Sequence, residues 1–140
     1  MLDKLIAQTG EGAKKTDLRI RKCVWLRALK KYAEADALAA KCLEMEPKPG
    51  VRAQAALLGV RAGCRLDRED WAGAYEMYCR IDPKEQGPYL LETASAAMAL
   101  GKYREAEALL ERVVKRGTAE RRMYGAALNH LKKLNAGRNQ

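Results

Sequence analysis

Phenylalanine is absent from this chain, histidine occurs once, and only four prolines punctuate 140 residues. Aromatic residues reach just 6%, so one class of sheet-favouring residue is scarce. Alanine, leucine, lysine, arginine and glutamate dominate instead, and all five favour helix. The composition therefore predicts an all-α fold. No apolar run approaches the roughly 18 or more residues of a membrane span. The opening Met-Leu-Asp-Lys-Leu-Ile-Ala-Gln has no basic start leading into an apolar block, so no signal peptide is readable and the expected address is cytoplasmic.

The usual chemical constellations are missing as well. Cys23, Cys42, Cys64 and Cys79 form no C-x-x-C pair, and His130 stands alone. A zinc site needs ligands paired at short spacing, so no metal site is expected. The four cysteines are read as small, reduced core residues. His130 is read as a surface residue. No G-x-G-x-x-G or G-x-x-x-x-G-K-[ST] phosphate cradle occurs. Gly10-Glu11-Gly12 is read as a turn, and Gly59-x-x-x-Gly63 as a device for close helix packing. No catalytic residue, no cofactor and no enzymatic activity are expected.

What remains is helix after helix. A short first helix is expected over residues 3–8, closed by residues 9–12. Thr16 or Asp17 is placed to cap a second, reaching about Lys30. A third runs from Tyr32 to Met45, stopped by Pro47-Lys48-Pro49-Gly50, since proline breaks the helical ladder. A fourth follows from Arg52 to Arg65. Asp67 with Asp70 resembles a capping box before a fifth helix ending near Ile81. Gly87-Pro88 opens a sixth, closed by Gly101. The seventh runs from Tyr103 to Arg116, and Thr118 is placed to cap an eighth, reaching about Asn135.

Three of these helices share one pattern. Tyr32, Ala35, Ala39 and Cys42 recur as Trp71, Ala74, Tyr78 and Ile81, and again as Tyr103, Ala106, Leu110 and Val113. Steps of three, four and three residues keep all four positions on one helix face. The aromatic anchors a turn between two helices, and the alanine lets the pair approach closely. On these residues, with Gly101-Lys-Tyr103-Arg-Glu-Ala106 the clearest instance, the chain resembles the tetratricopeptide repeat (TPR) family. In the helix before that last match, Leu90, Ala94 and Ala97 also stand where the family packs.

The resemblance implies an all-α helix-turn-helix array, an α-solenoid, forming a single domain over residues 1–140. Its units would span about 16–49, 51–84 and 85–117, flanked by an N-terminal helix and a capping helix over 118–135. The period is irregular, with 39 residues from Tyr32 to Trp71 and 32 from Trp71 to Tyr103. The register of the first unit stays open. Strict counting buries Arg19 and Lys22, whereas a shift of one buries Ile20, Cys23 and Val24. Arg61 and Arg65 fall on similarly awkward positions in the second.

In function, the resemblance implies a concave groove that binds a peptide or helix of another protein. The candidate groove residues are Ile20, Val24 and Arg27, or Arg21 and Trp25 under the shifted register; Gly59, Gly63 and Leu66; and Leu91, Ser95 and Met98. The layout is similar to small bacterial secretion chaperones, which hold an apolar client segment, or to an adaptor. The basic and asparagine residues with which other TPR domains clamp a C-terminal carboxylate are replaced here by Ile20, Val24, Val60, Pro88 and Glu92. That class of partner is disfavoured.

The net charge of +9 supplies the alternative reading, a basic nucleic-acid-associated helical protein. Arg19, Arg21, Lys22, Arg27, Lys30 and Lys31 cluster in one stretch, and Arg121, Arg122, Lys132, Lys133 and Arg138 in another. Only Trp25 and Tyr124 interleave with them as base-stacking aromatics. A structural subunit of a larger assembly is a third reading. In the last helix, Met123, Tyr124, Ala127, Leu128, Leu131 and Leu134 form one apolar stripe, read as a cap on the array or as a contact between copies.

Overall fold

Helices form where the composition and the breakers place them. A computed structural model describes residues 2–8 and 13–138, and among these every regular element is helical. The helices are α1 (Leu2–Gln8), α2 (Ala13–Ala28), α3 (Tyr32–Leu43), α4 (Val51–Asp67), α5 (Trp71–Cys79), α6 (Leu90–Ala99), α7 (Tyr103–Val114) and α8 (Thr118–Arg138). Two short 3-10 turns, Pro83–Glu85 and Gly87–Tyr89, lie between α5 and α6. None of these helices is long and apolar enough to cross a membrane. The turn expected over residues 9–12 lies outside the described residues.

The chain divides into two compact units, Met1–Gln86 and Gly87–Gln140. In the first, α3 packs against both α2 and α4, α2 and α4 touch each other, α5 packs on α4, and α1 lies on α2. Its core joins Cys23 of α2, Ala35, Ala39 and Cys42 of α3, and Leu57, Val60 and Cys64 of α4. In the second unit α7 packs against α6 and α8. Leu90, Ala94 and Ala97 of α6, Ala106, Leu110 and Val113 of α7, and Leu128 and Leu131 of α8 are buried.

One turn geometry recurs three times. Between α2 and α3, between α4 and α5, and between α6 and α7, a single residue adopts positive φ: Lys30 (63°), Glu69 (62°) and Gly101 (76°). The next residue donates its backbone N–H five positions back, from Lys31 to Leu26, Asp70 to Arg65 and Lys102 to Ala97, each at 2.8 Å. That bond is the signature of a Schellman helix stop. Each second helix then opens on its aromatic. The alanine three residues later, Ala35, Ala74 or Ala106, is 0% exposed and donates back to Lys31, Asp70 or Lys102. The spacing noted in the sequence thus corresponds to a repeated backbone conformation.

Several local expectations change. α2 begins at Ala13, so Thr16 and Asp17 sit inside its first turns and cannot cap it. Asp67 ends α4 rather than opening α5. The cap is Asp70, whose carboxylate accepts from the Gly73 N–H at 3.1 Å. A Cβ at Gly73 would come within 2.3 Å of that carboxylate, so glycine is what leaves room for the cap. Cys79 is exposed, unlike the other three cysteines, because it lies off the face of α5 on which Ala74 and Tyr78 are buried.

The register of α2 is mixed. Cys23 is its fully buried residue, with Ile20 and Leu26 packed partly against the core. Val24 turns outward at 52% exposure, while Arg19 and Lys22 are half-buried. Arg61 and Arg65 fit their positions because Asp36 of α3 meets both. Its Oδ1 accepts from Arg61 Nε and from Arg65 Nη1, each at 3.0 Å.

Candidate partner-binding surface

Helix α2 carries apolar residues on more of its circumference than one core can cover. Cys23 and Leu26 turn toward α3 and α4, which leaves Val24, Trp25 and Leu29 at 52%, 55% and 58% exposure. Positions 20, 21, 24, 25, 28 and 29 follow the one-, three- and four-residue steps of a single helical stripe. Helix α1 lies along this stripe without closing it. Leu2 and Leu5 of α1 face Ile20, Arg21, Val24, Trp25 and Ala28 across a hollow of about 460 Å³. Trp25 also borders a smaller hollow of about 110 Å³ with Leu2, Leu26 and Leu29.

One ion pair borders this surface and a second ties α2 to α4. Lys22 pairs with Asp3, tying α1 to α2. The Lys22 hydrogen bond, helped by the lysine's charge, holds the Asp3 carboxyl below its ordinary range. Arg27 reaches across α4 to Asp67 with two bonds, Nε to Oδ2 at 2.8 Å and Nη2 to Oδ1 at 3.2 Å. It crosses directly over Gly63, where a Cβ would lie 2.3 Å from the guanidinium carbon. The glycine therefore leaves a channel for an arginine. The Asp67 bonds, chiefly, strengthen the arginine's hold on its proton.

The candidate groove residues distribute as follows. Ile20 and Val24 line the hollow between α1 and α2. Arg27 is engaged with Asp67, Gly59 and Gly63 are buried in α4, and Leu66 is half-buried. Ser95 is exposed on α6, with Leu91 and Met98 half-buried on the same helix. Trp25, a groove candidate under the shifted register, and Leu29, which was not among the candidates, complete the exposed stripe of α2. The excess of apolar residues on α2 was the signal that could have pointed to Leu29.

The last helix divides its stripe. Leu128 and Leu131 are buried, and Tyr124 is half-buried. Asn135, 6% exposed, donates Nδ2 to the Tyr103 carbonyl and to Glu107 Oε1, both at 3.0 Å. Met123, Ala127 and Leu134 face outward instead, with Met123 at 70% exposure. His130 is exposed beside them. Among the described residues no group of three or more His, Cys, Asp or Glu is placed to hold a metal ion.

No protein-family model matches the chain, and no curated protein or solved structure matches it either.

Proposed function

We propose that this chain is a non-catalytic, TPR-like helix-pair repeat protein whose α1–α2 face holds an apolar segment of a partner protein. The thrice-repeated turn, with its aromatic and buried alanine, supports the repeat reading. The observation that carries the functional reading is the exposed strip of Val24, Trp25 and Leu29 along an apolar hollow. Scattered exposed apolar residues are ordinary, but a contiguous set along a concave face marks an interaction site. A large aromatic flanked by aliphatic residues is the type of anchor that dominates binding energy at protein interfaces. The segment would lie against α2 in helix-in-groove fashion. A secretion-type chaperone or an adaptor would use such a face, with the rest of the chain as its scaffold.

The test is affinity capture from the native cell with the intact chain and with Trp25→Glu. Trp25 is more than half exposed, so the substitution should leave helicity and melting temperature unchanged by circular dichroism. The expected outcome is loss of the proteins retained by the wild-type chain. Retention of the same proteins by a folded Trp25→Glu variant would overturn the assignment. Co-purification of nuclease-sensitive nucleic acid in place of a protein would favour the basic-protein reading.

A further inference from the structure

Three of the four cysteines meet in one core cluster, although they come from three different helices. Cys23 of α2 and Cys64 of α4 are 0% exposed, and Cys42 of α3 is 2% exposed. Their surroundings differ. Cys64 is held in apolar packing, and burial pushes its thiol up. Cys42 lies between this cluster and a second hollow of about 700 Å³. That hollow is bounded by the start of α2, the end of α3, the Glu46–Gly50 loop and the start of α4. Arg19 lines it beside Cys42.

The partner-binding reading makes no use of this arrangement. From it we infer that Cys42 is a peroxide-oxidation site, with Cys23 as the resolving thiol that closes a Cys23–Cys42 disulfide between α2 and α3. Both sulfurs belong to the one buried cluster, and Cys42 alone of the three also borders the hollow, so it is the sulfur placed for attack. The neighbouring Cys23 thiol lowers Cys42 to about 7, with Arg19 and Lys41 adding to the effect, while the same neighbour and burial push the Cys23 thiol up. The thiolate is the reactive form of cysteine, and a thiol that ionises near ambient pH is the most effective attacker.

The reaction balances with hydrogen peroxide as the oxidant. The Cys42 thiolate attacks one peroxide oxygen, the O–O bond breaks, and hydroxide leaves with the electron pair. It takes up the proton that Cys42 released and becomes water. Cys42 is now a sulfenic acid. The Cys23 sulfur attacks it, the S–O bond breaks, and the departing hydroxide takes the Cys23 proton as a second water. Two thiols are oxidised to one disulfide while one peroxide is reduced to two waters. The hollow beside Cys42 offers peroxide an approach that the packing around Cys64 does not.

The test uses the full-length chain with the exposed Cys79 replaced by serine, under conditions where circular dichroism shows native helicity. After peroxide treatment and denaturation, two of the remaining three thiols should resist alkylation, and dithiothreitol should restore them. Peptide mapping should join Cys23 to Cys42. In the native reduced protein at pH 7, Cys42 should be alkylated about tenfold or more faster than Cys64, following their thiolate fractions. With Cys23→Ser added, a sulfenic-acid trap should label Cys42. Three free thiols after peroxide, a bond involving Cys64, or equal alkylation of Cys42 and Cys64 would each overturn the proposal. Should Cys23→Ser fold poorly, the mapping on the Cys79→Ser protein decides alone.

Discussion

A lysine and a glutamate occupy the left-handed position in two of the three repeated turns, and glycine only in the third. A side chain there costs roughly 1–2 kcal/mol, because Cβ crowds the neighbouring carbonyl. Glycine avoids that penalty but loses more backbone entropy on folding. Lys30→Gly and Glu69→Gly should therefore each stabilise the chain by about 0.5–1 kcal/mol. Gly101→Ala should destabilise it by about 1 kcal/mol, and for conformational reasons alone, since a Cβ there meets nothing within 4 Å. Chemical denaturation of the three variants checks both signs. A loss of stability in Lys30→Gly would mean that its side chain contributes more than its backbone costs.

The cluster of Asp36 with Arg61 and Arg65 is the other residue-scale feature with a measurable weight. All three side chains are about one-fifth exposed, between the surface and buried limits for ion pairs. Asp36→Ala leaves two half-buried arginines facing each other and should cost about 1–3 kcal/mol. Replacing all three residues with apolar ones of similar size should cost much less, because desolvation offsets most of the attraction. Equal losses in the two variants, measured by urea denaturation, would show that the charges themselves carry the stability.

At the scale of elements, the second helix of each pair was the most legible part of the sequence. Its opening aromatic, alanine and two later packing residues fix one face, and all nine positions that follow the opening aromatics are buried. The turns at Lys30 and Glu69 were not legible, because no glycine marks them. Asp36 pairing with Arg61 and Arg65 was also hidden, since it joins residues 25 and 29 positions apart. In α2, apolar residues on several sides made the period ambiguous. The face that meets α3 and α4 was decided by packing, and Val24 was left outside.

Helix α8 carries the element-scale prediction. Leu128 and Leu131 are buried on it, and Asn135 bonds back to α7. Fully burying one leucine contributes about 1.5–3 kcal/mol. Ending the chain after Gly117 removes two such residues and uncovers the face of α7 they protect. The truncated protein should lose several degrees or more of melting temperature, or aggregate. An unchanged melting temperature with altered association would identify α8 as a docking helix between copies. The exposed Met123, Ala127 and Leu134 would then be its working face.

Across the whole molecule, the same helix-turn-helix conformation builds the first unit twice and the second unit once. Its apolar residues are mostly spent on cores, and α2 is where a contiguous surplus reaches the surface. The central claim is that this surplus touches another protein. It is tested most directly by placing a photo-crosslinking residue at position 25 in the native cell, with Ala108, exposed on α7, as the control position. A discrete protein adduct is expected from position 25 and none from position 108. The same adducts from both positions, or crosslinks from position 25 to nucleic acid alone, would contradict it.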